Sequence, residues 1–165
     1  MSNSIAVLIA GGTIDKLYNP ISGNLALPAT SVPEMLHQSR LSADVRIEHV
    51  LLKDSLDMTA QDRQKLLVAA KHAAENHLLI THGTDTMVDT AKLLAAERSL
   101  ANKVIVLVGA MVPFTVTGSD ALFNLGSAVM ALELAQPGVY IAMHGRLFGY
   151  AEVIKNRQAG QFEDC

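Results

Sequence analysis

Leu78-Leu79-Ile80-Thr81 runs directly into His82-Gly83-Thr84-Asp85-Thr86, and Met87, Ala91, Leu94 and Ala95 then recur at helical spacing. A short apolar run, a polar turn and an apolar stripe of helical period in immediate succession read as strand, loop and helix. An apolar run with no alternation suits a strand buried on both faces of a parallel sheet. Outward from this unit the pattern repeats. Upstream, Ala43 to Leu52 carries Val45, Ile47, Val50 and Leu51 as a strand. The polar interruption Lys53 to Met58 follows, then Thr59 as an N-cap before a helix with Leu66, Leu67, Ala70 and Ala73 on its buried stripe. Further upstream, Ile5 to Ala10 is a strand stopped by Gly11-Gly12, and the stretch to about Pro28 reads as loop. Ser31-Val32-Pro33-Glu34 then spells a capping box opening a short helix to about Gln38. Downstream come a strand at Val104 to Val108, a helix at Asp120 to Ala135 and a strand at Val139 to Met143. A small hairpin or sixth strand is expected within Arg146 to Lys155.

Strands alternating with helices predict right-handed βαβ units and an α/β fold with a mostly parallel, doubly wound sheet of Rossmann or flavodoxin type. There is no internal repeat and no Pro/Gly/Ser-rich linker, so residues 1–165 are expected to form a single domain.

Composition narrows the function classes. Half of the 165 residues are apolar (50%) and 18% are charged, the balance of a globular chain. The formal net charge is -3 with no block of like charges, which sets nucleic acid aside as a partner. The longest nearly unbroken apolar stretch, Val104 to Phe114, falls short of the ~20 residues of a membrane helix, so no membrane association is expected. Met1-Ser2-Asn3-Ser4 carries no Lys or Arg ahead of Ile5 to Ala10, unlike a secretory signal, and a cytoplasmic setting is the simplest expectation. The one cysteine, Cys165, is read as a free thiol. Of six histidines only His82 and His144 follow strands, in no ligand-spaced cluster, so no metal is expected; the apolar helical stripes read as core, and no other cofactor is expected.

In open α/β sheets the ligand crevice lies beyond the carboxyl ends of the strands. Gly11-Gly12-Thr13, Asp54-Ser55-Leu56-Asp57, His82-Gly83-Thr84-Asp85-Thr86 and Gly109-Ala110-Met111-Val112-Pro113 each follow a strand and therefore line one edge. Threonines, a serine and carboxylates meeting at helix N-termini suit acyl transfer, which needs a hydroxyl nucleophile and N–H groups for an oxyanion. Taken singly these signals have plainer readings. Gly11-Gly12-Thr13 is also a tight turn, and it is neither G-x-G-x-x-G nor a Walker A sequence. Asp54, Ser55 and Thr59 are also helix caps, and Tyr18 is also an ordinary loop aromatic. The segment His82 to Thr86 is harder to reduce to a cap, which needs one polar side chain where four are supplied.

Taken together, Gly11-Gly12-Thr13-Ile14, Asp54-Ser55-x-Asp57-Met58, Thr81 to Met87, Val108-Gly109-Ala110-Met111-x-Pro113 and Lys155-Asn156 resemble the L-asparaginase family of threonine amidohydrolases, from about Ile5 to Lys155. The resemblance implies that Thr13 is the nucleophile, assisted by Tyr18 on a mobile lid. It implies that Thr84, Asp85 and Lys155 form a second catalytic group, with Asp85 also holding the substrate's amino group. Ser55 would bind the α-carboxylate, the Ala110 carbonyl would receive the amide nitrogen, and Gly12 and Gly83 would line the substrate site. The implied substrate is L-asparagine and the implied assembly a homodimer or homotetramer. Two departures stand out: Leu56 occupies a position where the family usually has Gln, and the chain is expected to be of the short single-domain type, without the second, C-terminal domain of familiar members. Hydrolysis of another small amide such as L-glutamine, and an amino-acid-binding module without turnover, are the competing readings. The presence of Thr13, Thr84, Asp85 and Lys155 together speaks against the second.

Overall fold

A computed structural model describes residues 4–165; Met1, Ser2 and Asn3, part of the stretch weighed above as a signal, lie outside the described residues. In chain order the elements are β1 (Ile5–Gly11), β2 (Leu17–Asn19), β3 (Asn24–Ala26), α1 (Val32–Gln38), β4 (Val45–Lys53), α2 (Ala60–His72), β5 (His77–Thr81), α3 (Met87–Ala95), β6 (Val104–Val108), α4 (Ala121–Leu134), β7 (Gly138–Met143), β8 (Arg146–Gly149), β9 (Val153–Asn156) and β10 (Gln161–Asp164).

The central sheet runs β4-β1-β5-β6-β7-β8, parallel except for β8, which pairs antiparallel with β7. Counting only the parallel strands, this is the flavodoxin order 2-1-3-4-5, whose direction reverses between β1 and β5. Period-two alternation divides the core. Ala6, Leu8, Leu78, Ile80, Ile105 and Leu107 face α2 and α3, whereas Ile5, Val7, Ile9, Leu79, Val104 and Val106 face α1 and α4. Both faces are covered, which is why these strands read as unbroken apolar runs.

Handedness departs from expectation at one connection. The β1-α1-β4, β4-α2-β5 and β5-α3-β6 crossovers share one hand. The β6-α4-β7 crossover moves across the sheet in the same direction as β5-α3-β6 but on the face occupied by α1, so its hand is opposite. The connection 109–120 carries the chain to that face and is tied down there. Asp120 Oδ1 accepts from Met111 N and Val112 N at 3.0 and 2.9 Å, and buried Asn124 donates to the Gly109 carbonyl at 3.1 Å.

The segment from Arg146 does hold a sixth sheet strand, β8, and beyond it begins a separate β9–β10 hairpin. Two further expectations need correction. The stretch from Lys16 to Pro28 contains the β2–β3 hairpin rather than loop alone. Ser31 makes no capping bond from its side chain, because its backbone is already α-helical rather than extended; the Thr30 hydroxyl accepts from Val32 N at 3.2 Å instead. The reciprocal capping box forms at α2, where Thr59 Oγ1 accepts from Asp62 N at 3.2 Å and Asp62 Oδ2 accepts from Thr59 N at 3.0 Å.

Candidate active site

The site is assembled at the switch point between β1 and β5. Gly12 has φ 89° and ψ -175°, a conformation that is costly for any residue with a side chain. A Cβ there would also lie 2.3 Å from Gly83 N. Gly12 N donates to the Lys53 carbonyl at 2.9 Å, so the turn after β1 is pinned between the ends of β4 and β5. Gly83 in turn packs on Ser55, where a Cβ would stand 2.6 Å from Ser55 Oγ. The glycines are therefore what allow the turns bearing Thr13, Ser55 and Thr84 to meet.

Ser55 opens the 3-10 turn Ser55–Asp57, whose N-cap Asp54 accepts from Leu56 N at 3.1 Å. Ser55 is almost fully buried; its Oγ accepts from Asp85 N at 3.2 Å, and its carbonyl accepts from the Thr86 hydroxyl at 2.8 Å. The serine keeps its own hydroxyl hydrogen available to donate. Lys155, projecting from β9, donates to Thr84 Oγ1 at 2.6 Å and to Asp85 Oδ1 at 2.8 Å. Its side chain is only 9% exposed, and in register with it on β10 stands the buried Phe162. Neighbouring Asn156 acts on the backbone instead. Its Oδ1 accepts from Gln158 N and Ala159 N, both at 3.1 Å, closing the β9–β10 turn that presents Lys155.

His82 is fully buried behind the site. Its Nδ1 is 2.7 Å from the Gly83 carbonyl and its Nε2 2.8 Å from Thr90 Oγ1, so a neutral ring with Nδ1–H donating and Nε2 accepting satisfies both contacts. Burial pulls its pKa down to about 4, which keeps it neutral at pH 7. His82 thus ties the segment to α3. Among the described residues no group of three or more His, Cys, Asp or Glu is placed to hold a metal.

Of the residues singled out from sequence, the structure brings together Gly12, Ser55, Gly83, Thr84, Asp85 and Lys155. Ala110 is buried just beyond β6, following Gly109, against which the Thr84 methyl packs. Thr13 is half-buried in the 3-10 turn Thr13–Asp15 directly after Gly12. Tyr18 is not brought into this cluster by any polar contact; it stands 62% exposed on β2.

Three features escaped the sequence reading. Arg157 Nε lies 3.6 Å from Asp85 Oδ1, a contact whose only sequence signal is its place two residues after Lys155. Lys16 pairs with Asp54 at 2.5 Å, joining the C-cap of the Thr13 turn to the N-cap of the Ser55 turn and holding Asp54 below the usual carboxylate range. Asp15 is wholly buried, its Oδ1 accepting from Thr30 Oγ1 at 2.8 Å and Ser31 N at 2.9 Å, while Oδ2 has no partner; burial pushes its pKa up. A surface groove between β4 and α2, lined by His49, Gln61, Lys65 and His72, contains none of these groups, so side-chain chemistry and not concavity locates the site.

Fold and site together define a doubly wound α/β protein with hydroxyl, lysine and carboxylate groups gathered at its switch point. The chain belongs to the asparaginase family: the family model described as "Asparaginase, N-terminal" matches residues 4–161. It is 32% identical over 133 residues to L-asparaginase 1 of Escherichia coli K12, a match covering 76% of this chain and 39% of that protein. The structure of the thermostable L-asparaginase from Thermococcus kodakarensis superposes with TM-score 0.85 at 28% identity, covering 98% of this chain and 51% of that one. A probable cytoplasmic L-asparaginase from Campylobacter jejuni gives TM-score 0.79 at 30% identity, covering 92% and 49%. The chain thus spans about half the length, or less, of these relatives. Among the described residues no helix is long and apolar enough to cross a membrane.

Proposed function

We propose that this chain carries the catalytic machinery of an L-asparaginase, hydrolysing L-asparagine to L-aspartate and ammonia through an acyl-threonine intermediate. The observation that carries the reading is the Thr84–Lys155–Asp85 cluster, which joins side chains 71 and 70 residues apart at the switch point. Family membership supports it.

In this reading Thr13 Oγ attacks the side-chain amide carbon, its proton passing to Tyr18 or, through the Thr84 hydroxyl, to the lone pair of a neutral Lys155 amine. The carbonyl oxygen takes the negative charge and N–H donors of the crevice stabilise it. Collapse breaks the C–N bond and ammonia leaves with the proton; water then cleaves the Thr13 ester, releasing L-aspartate and restoring the hydroxyl. Lys155 Nζ and Thr84 Oγ1 are 2.6 Å apart, close enough for the Thr84 hydroxyl to pass a proton to the amine once Lys155 is neutral. Ser55 has a hydrogen to donate to the α-carboxylate, Asp85 faces the α-ammonium, and the Ala110 carbonyl accepts from the amide nitrogen. Gly12 and Gly83 line the substrate site with their backbone, between the turns they allow to meet. Tyr18, exposed on β2, reaches Thr13 when the β2–β3 hairpin closes over the substrate. A homodimer or homotetramer and a cytoplasmic setting belong to the same proposal.

Ammonia release from L-asparagine, measured beside L-glutamine and beside Thr13→Ala, tests it. Release that vanishes in the variant is expected. Equal release from Thr13→Ala sinks the assignment of the nucleophile, and no release from L-asparagine by folded protein sinks the substrate.

A further inference from the structure

At the α-end of the proposed site, Asp85 and Asp54 are already engaged by cations. Asp85, assigned above to the substrate's α-ammonium, already meets two cations. Lys155 donates to its Oδ1 at 2.8 Å, Arg157 Nε stands 3.6 Å from the same oxygen, and Arg157 Nη2 lies 3.5 Å from the Asp85 carbonyl. Asp54, the carboxylate preceding Ser55, is taken by Lys16 at 2.5 Å. Leu56, which follows Ser55, offers an exposed apolar side chain and no acceptor. Asp57 ends that turn exposed to solvent. An ammonium arriving at Asp85 would share one carboxylate with two other cations, and like charges at that range oppose it. A substrate with a carboxylate but no ammonium would keep the Ser55 hydroxyl and avoid that repulsion.

We infer that Arg157 is a specificity-determining residue that turns this site towards small amides carrying a carboxylate but no free α-ammonium, the simplest being 3-carbamoylpropanoate. The inference rests on the amidohydrolase reading and deepens it. Arg157 is 61% exposed beside the β9–β10 turn, so its replacement leaves the buried framework untouched.

The test compares kcat/KM for ammonia release from L-asparagine and from 3-carbamoylpropanoate, in the wild-type chain and in Arg157→Gln. Calorimetric titrations with L-aspartate and succinate run in parallel, since these products differ by the same ammonium. The wild type is expected to distinguish the two amides by less than about tenfold, because the carboxylate assigned to the ammonium is already engaged by two cations. Arg157→Gln shifts the ratio towards L-asparagine, and the binding ratio towards L-aspartate, by about three- to fivefold, the modest size proper to an exposed pair. Raising the salt shrinks that shift. A wild type that prefers L-asparagine by more than about a hundredfold overturns the inference. So does a ratio unmoved by Arg157→Gln, or an Asp57→Asn variant that loses L-asparagine alone, which would seat the ammonium at Asp57. Silence in the ammonia assay counts against the proposed reaction only, because the binding ratio still decides the charge preference; failure to bind either product overturns both.

Discussion

Lys155 reaches Thr84 and Asp85 from a hairpin far along the chain, and that placement makes the threonine a candidate for chemistry rather than a helix cap. Lys155→Met is expected to lower kcat for ammonia release by about a hundred- to a thousandfold, as loss of a proton-transfer group does, with an unchanged circular dichroism spectrum. A drop of less than about tenfold would exclude the lysine from the proton path. His82 gives a pH signature. Its folded pKa of about 4 lies below the unfolded value of 6.5, so between those values the unfolded state binds the extra proton. His82 therefore leaves stability undiminished above pH 6.5 and erodes it as pH falls towards 4. Denaturant midpoints across that window should fall in the wild type and fall less steeply in His82→Gln. Asp15 has the opposite slope: burial raises its pKa, so the charged carboxylate costs stability at neutral pH and acid relieves that cost.

Among the elements, the turn after β1 depends on the absence of a side chain. Gly12→Ala places a methyl in a positive-φ conformation and against backbone atoms of Gly83, where nothing flexible can yield. A loss of more than about 3 kcal/mol, or failure to accumulate folded protein, is expected. The α2 cap is an ordinary contrast: Thr59→Ala removes one hydroxyl from the capping box, and the melting transition should register about 1 kcal/mol of destabilisation with the reaction unaffected. Helix existence and strand order along the chain were legible because both core faces left unbroken apolar runs and helical stripes. The β2–β3 hairpin was not, since its turn formers at Tyr18 to Asn24 resemble any polar loop and its two strands have only each other to pair with. The Ser31 cap failed for a local reason, as the letters of a capping box do not set the dihedral that the cap residue adopts.

Across the whole molecule, the opposite-handed β6-α4-β7 connection is held by polar groups buried at its start. Asn124 is fully buried and spans three elements: it donates to the Gly109 carbonyl after β6 and to Asp120 before α4, and accepts from His144 N in the β7–β8 turn. Asn124→Ala leaves those partners unsatisfied and should cost about 2–3 kcal/mol in urea, with activity reduced because Ala110 follows the Gly109 that Asn124 holds. The sequence by itself determined the doubly wound α/β plan and the segments that meet at one edge of the sheet, because apolar periodicity and the residues after each strand are local properties. It also determined the family, through motifs that are local strings. The grouping of Lys155 with Thr84 and Asp85 was implied by the family resemblance, whereas only the tertiary structure decided that Arg157 and Lys16 bring further cations to the site and that one crossover reverses hand. Those outcomes depend on contacts between residues far apart in the chain, whose distances packing sets and no local pattern records.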